Sequence, residues 1–198
     1  FRKLAKSKEF LKLTKDKFCL EIINLIFPQF VNLNIFKNLN SFALKNMGNL
    51  DFIFLVTLMI IDGKDNADYF IYKFNISKKD QKRIKTIDNF FKEKINSKTF
   101  TEKYMNRFFY YYGKEVTIDV LSHKIIKSKK ENGHLRELIN YFKNTSPPMM
   151  PINADMLMKK YKIAEGQQLG KKLKLIEEEW VKNDFKISDQ QVDNIVYN

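Results

Sequence analysis

Apolar residues recur along this chain at three- and four-residue intervals, and no stretch of useful length alternates in the two-residue period of a strand. Phe18, Ile22, Leu25 and Ile26 fall on one side of a helical projection, which predicts a core-facing helix. It should end at Phe27, because Pro28 disfavours helical geometry in the residue before it. A second helix is expected between Val31 and Lys37. Residues 51–61 are apolar nearly all round and predict a central buried helix. A loop over 62–66 and a short helix over 67–74 follow. Ser77 is a good N-cap with Asp80 three residues on, and Ile84, Ile87, Phe91 and Ile95 give the helix after it one apolar face. Tyr104, Met105, Phe108, Phe109 and Tyr112 form an aromatic stripe read as core rather than as a base-stacking platform. Gly113 breaks the chain before a helix bearing Ile118, Leu121 and Ile125. Gly133 precedes another, bearing Leu135, Leu138, Ile139 and Phe142. Six glycines and four prolines in 198 residues are few for the turns of a compact β fold. The expected fold class is all-α, a multi-helix body of seven to nine helices followed by a small helical tail.

Pro147, Pro148 and Pro151 set the boundary between the two. Three prolines in five residues remove backbone donors and forbid helix. The body is therefore placed at 1–146 and the tail at 147–198. The longest apolar run, 52–61, falls short of the roughly 20 residues that cross a bilayer, so no membrane partner is expected. The single cysteine, Cys19, excludes an intrachain disulfide and suits a reducing, cytoplasmic setting. Set among Phe18, Leu20 and Ile22, it reads as a core thiol. The first residue, Phe1, suggests a truncation or a domain cut, and no secretory leader pattern follows it.

The formal charge is +13, from 36 Lys and Arg against 23 Asp and Glu, and it points to an anionic partner such as nucleic acid. Only Arg2, Arg83, Arg107 and Arg136 are arginines. A lysine excess beside abundant Asn, Ile and Phe is also what AT-rich codons produce, so placement must decide. In the body, Lys78, Lys82 and Lys85 share a helical face with Lys79 and Arg83 beside them. The plainer alternative is a solvated helix face. In the tail, Leu169, Leu173, Ile176 and Trp180 form an apolar stripe after a turn at Gly166. Lys171, Lys172 and Lys174 lie early in that helix and Glu177, Glu178 and Glu179 late, the reverse of what the macrodipole prefers. Gly170 in the first turn allows close backbone approach, and free amides at a helix N-terminus take phosphate.

Residues for catalysis are not expected in the chain. It has no Walker A loop, no GxGxxG and no Asp-x-Asp. His123 and His134 lack a carboxylate at ligand spacing and are expected at the surface or at caps. Asp62, Asp65 and Asp68 miss the EF-hand spacing. Consecutive glutamates on a helix point to different sides and cannot clamp one metal. The catalytic and metal assignments are accordingly none.

The segment 151–185 resembles the C-terminal tail of bacterial class II CCA-adding tRNA nucleotidyltransferases and the related poly(A) polymerases. The family pattern runs Pro-x-x-Gly, Leu-Met, an apolar residue, Pro-Gly-Pro, x-x-Gly, Leu and a later Trp. Here Pro151, Leu157, Met158, Ile163, Gly166, Gly170, Leu173 and Trp180 fit in order. Ala154 replaces the first Gly, Ala164 or Glu165 the first Pro of the turn, and Gln167 the second. The resemblance implies a portion that grips the tRNA acceptor arm. Nucleotidyl transfer, with its magnesium, would belong to an N-terminal head absent from this sequence, and residues 1–13 would be the end of the neck. The implied RNA contacts are Lys159, Lys160, Lys162, Gly166, Gly170, Lys171, Lys172 and Lys174 in the tail, with Lys78, Lys82 and Arg83 on the body. Two other readings stand beside it. One is a stand-alone nucleic-acid-binding module, helix-hairpin-helix-like around 163–170. The other is a helical protein-interaction domain.

Overall fold

A computed structural model describes all residues except 1, 6, 94, 97, 129–131 and 198, and for Lys8 the backbone alone. The fold is all-α. The body carries α1 (Arg2–Ala5), α2 (Lys8–Leu13), α3 (Lys17–Ile26), α4 (Ser41–Asn46), α5 (Phe52–Ile60), α6 (Asn66–Lys73), α7 (Lys78–Lys92), α8 (Glu102–Lys127) and α9 (Gly133–Asn144). Two 3-10 turns, Leu33–Asn38 and Met47–Asn49, flank α4. The tail carries α10 (Ala154–Tyr161), α11 (Gln167–Lys182) and α12 (Asp189–Tyr197).

The body is built around α5, whose residues from Ile53 to Ile60 are all buried. Asp51 caps it by accepting from the amides of Ile53 and Phe54. Just past its other end the Ile61 carbonyl accepts from Asn32 Nδ2 at 2.7 Å and Lys127 Nζ at 2.8 Å. A helix with so little polar surface needs neighbours to satisfy its ends, and both ends are satisfied. Ile84, Ile87 and Phe90 of α7 and the second half of α8 complete the core, and α9 lies along α8. Gly113 sits inside α8 at φ 79° and ψ 177°, a conformation open essentially to glycine alone, and kinks the helix there.

Three expectations are corrected. The stripe expected to face the core in α3 faces water: Phe18 is 70%, Ile22 40%, Leu25 82% and Ile26 58% exposed. Leu20 and Ile23 on the opposite side, with Phe27, make the contact instead. This helix is apolar on both sides, so periodicity finds two faces and cannot rank them. His123 is buried, not at the surface. Its ring centroid lies 4.3 Å from that of Phe91, neither ring nitrogen has a hydrogen-bond partner among the described residues, and burial drives its pKa well below the usual histidine value. Cys19 is half-buried at the start of α3. Hydrogen bonding to Asp16 raises its pKa and keeps it a thiol. His134 is exposed, with Nε2 against the Phe100 carbonyl.

Residues 145–153 form no helix, and beyond them Leu157, Leu169, Ile176 and Val192 make a second, smaller core. Tail and body meet along the first half of α8. Tyr110 donates to Glu177 at 2.6 Å and packs edge-on against Trp180, 5.3 Å between ring centroids. Lys103 and Arg107 bind Asp184 at 2.5 and 3.1 Å, and Arg107 also donates to the Lys182 carbonyl. Burial and the Glu177 bond together push the Tyr110 hydroxyl up to about 12.

Candidate nucleic-acid interface

Ser77 starts α7 by accepting from the Asp80 amide at 3.1 Å, while its hydroxyl donates to the Asp80 carboxylate at 2.7 Å. The cap holds Asp80 at the helix end, where Lys78 and Lys79 are its neighbours. Lys78, Lys79 and Lys82 are exposed, and the described residues give their ammonium groups no carboxylate partner. Later in the helix the lysines are engaged: Lys85 reaches Asp68 at 3.9 Å, and Lys92 binds Asp88 at 2.7 Å and Asp68 at 3.3 Å. The uncompensated charge therefore gathers on the first two turns.

Arg83 does not belong to this set, and its proposed RNA contact is withdrawn. It is 7% exposed and its guanidinium binds Asp119 at 2.7 Å, Glu115 at 2.8 Å and Asp51 at 2.9 Å. Burial works against its charge, but Asp119, then Glu115 and Asp51, outweigh it and raise the pKa. Asp119 shows the opposite balance. Burial pushes its carboxyl up to about 6 even against Arg83, with Glu115 and Asp51 adding like charge. The guanidinium already fills the space between these three carboxylates, so they do not fit a magnesium ion. Among the described residues no group of three or more His, Cys, Asp or Glu is arranged so that it could hold a metal ion.

In the tail the proposed contacts divide. Lys159, Lys162 and Lys171 are exposed, and no partner is recorded for their ammonium groups among the described residues. Lys160 lies 5.0 Å over the Tyr161 ring and 3.2 Å from Asp189, and these two neighbours raise its pKa. Lys172 is half-buried and donates to the Ile195 carbonyl at 2.8 Å, so it ties α11 to α12. Lys174 pairs with Glu178 at 3.8 Å. The glutamates are likewise spoken for, Glu177 by Tyr110 and Glu179 by Asn183 at 2.7 Å. Gly166 stands before α11 with φ 148°, a backbone that L side chains avoid, and supplies no side-chain cap. The first amides of α11 are thus left without a side-chain acceptor beside exposed Lys171. Around Gly170 a Cβ would meet nothing within 4 Å, so nothing inside the chain requires glycine there.

Sequence reasoning missed one feature. The aromatic stripe of α8, read as core, splits. Met105, Phe108 and Phe109 are buried, while Tyr104 and Tyr112 are 37% and 48% exposed. With Thr86, Asn89, Phe90 and Glu93 of the α7 side, Tyr104, Phe108 and Tyr112 enclose a cleft of about 120 Å³. The signal was present in the sequence as tyrosine rather than phenylalanine at the stripe's two ends, since a phenolic hydroxyl favours a wet edge.

No family model matches this chain, and neither a curated protein nor a solved structure matches it.

Proposed function

We propose that the chain is the RNA-gripping portion of a tRNA nucleotidyltransferase or poly(A) polymerase, with nucleotidyl transfer performed by a head outside this sequence. The observation that carries the reading is the placement of unpaired charge. Lys78, Lys79 and Lys82 on the body and Lys159, Lys162 and Lys171 on the tail project into solvent while neighbouring lysines are engaged within the chain. The order of Leu157, Met158, Ile163, Gly166, Leu173 and Trp180 in the tail supports the family, and the backbone at Gly166 supplies a reason for one of its glycines. Magnesium would serve the head.

Binding of a tRNA lacking its terminal CCA, followed by anisotropy across a salt series, tests the proposal. Affinity should fall steeply with salt, and each of Lys78→Glu, Lys82→Glu, Lys159→Glu and Lys171→Glu should lower the slope by about 1. Supplied with CTP, ATP and magnesium, the chain alone should not extend the tRNA. Unchanged binding in all four variants would refute the interface. The exposed stripe of α3 favours a second reading, a helical protein-interaction domain, which that result would promote.

A further inference from the structure

We propose that the cleft between α7 and α8 receives a single unpaired nucleobase carrying an exocyclic amine, adenine, cytosine or guanine rather than uracil, from the bound RNA. This rests on the nucleic-acid reading and adds to it what is recognised beyond phosphate.

Three properties of the cleft point there. Its size is the first: about 120 Å³ is well below the several hundred that enclose a whole small-molecule ligand, so it suits one ring system. Its walls are the second. Phe108 forms the floor, 5.0 Å from Phe90, and Tyr112 leans on it at 4.5 Å. Tyr104 and Tyr112 stand one helical turn to either side of Phe108, and both line the cleft while partly exposed to solvent. Stacking on such rings is the usual way proteins hold unpaired bases. Its polar edge is the third. Asn89 offers an amide donor and acceptor, and Glu93 a carboxylate that lies close enough to Tyr104 to raise the phenol's pKa alongside burial. A carboxylate accepts from an exocyclic amine and opposes the uracil carbonyl, and an asparagine amide matches adenine.

Position supports the assignment. Lys79, Lys82, Thr86, Asn89 and Glu93 recur at three- and four-residue spacing, so they share one stripe of α7. The unpaired lysines thus lie on the line that leads into the cleft. A backbone held on Lys79 and Lys82 by its phosphates would bring the next bases to the aromatic walls.

The test compares single-stranded hexamers of adenylate, cytidylate and uridylate with an RNA duplex, by anisotropy on the full chain. The adenylate and cytidylate hexamers should bind at least about fivefold tighter than uridylate. Tyr112→Ala should weaken adenylate binding roughly tenfold and leave the duplex unaffected. Glu93→Gln alters one exposed carboxylate and should narrow the adenylate-to-uridylate ratio, so the proposal stays falsifiable if Tyr112→Ala fails to fold. Equal binding of the three hexamers, with neither variant having an effect, overturns it. If Lys78→Glu and Lys82→Glu weaken hexamers and duplex together while the cleft variants do nothing, the phosphate grip stands and the base site falls. If the lysine variants do nothing and the cleft variants act, the base site stands without that grip. Absence of all nucleic-acid binding removes both.

Discussion

Arg83, read from the sequence as one of a basic run, and His123, read as a surface or capping residue, are both buried, and the fold treats them in opposite ways. Arg83 was legible as a charge and not as a buried one, because its three carboxylates lie 32 and 36 positions away along the chain. Arg83→Met should cost roughly 3–5 kcal/mol at pH 7, measured by urea unfolding, since it strands Asp119 inside. The loss should shrink near pH 5, where Asp119 can take a proton instead. Asp119 has a folded pKa of about 6 against an ordinary 3.8. Its contribution to stability is therefore full below pH 3.8 and is lost as pH rises through 6. His123 works the other way. With its folded pKa driven below 6.5, its contribution holds above that value and is lost as pH falls. The two slopes oppose each other in wild type. Asp119→Asn and His123→Phe should separate them in melting temperatures measured from pH 4.5 to 7. His123→Phe should be neutral to about 1 kcal/mol stabilising at neutral pH, because neither ring nitrogen loses a partner. Thr57's backbone lies near that ring without hydrogen-bond geometry to it.

Among the elements, those whose periodicity has one apolar face were legible and those with two were not. The helix over α5, the cap at Ser77 and the stripe of α11 follow from local pattern and chemistry. The α3 face did not, because which side meets the core is set by packing with residues outside the helix, such as Phe74 against Phe27 just past its end. Ile23→Ala should therefore cost about 2–4 kcal/mol and Leu25→Ala less than about 0.5, the reverse of the order the stripe suggests. Chemical denaturation of the two variants checks this directly. Gly113 was legible as a break, and the backbone does leave helical geometry there, so α8 is two helical segments meeting at a kink. Gly113→Ala meets no atom within 4 Å, so its cost of about 1–3 kcal/mol should come from the backbone alone. The lysines of the interface were legible as residues but not as a set. Only packing shows that Lys172 and Arg83 are occupied within the fold while Lys82 and Lys171 are not.

Over the whole molecule, stability should be uneven. Among the described residues the tail core holds four buried apolar side chains, against more than thirty in the body, and a core so small rarely stands alone. Amides of α10 to α12 should exchange with deuterium before those of α5, and Tyr110→Ala, which removes the aromatic and hydrogen-bonded tie to Trp180 and Glu177, should widen that gap. The first half of α8 presents three separate sides. Lys103, Arg107 and Tyr110 hold the tail, Tyr104, Phe108 and Tyr112 border the cleft, and Met105 and Phe109 sit in the core. One three-turn rod therefore touches the tail, the cleft and the core at once, and it ends at the Gly113 kink. Thermodynamic reciprocity then applies to the rod as a whole. A molecule seated beside Tyr112 that prefers one pose of this rod steadies the tail in that pose, and a tail steadied by its own ligand sharpens the seat by the same factor.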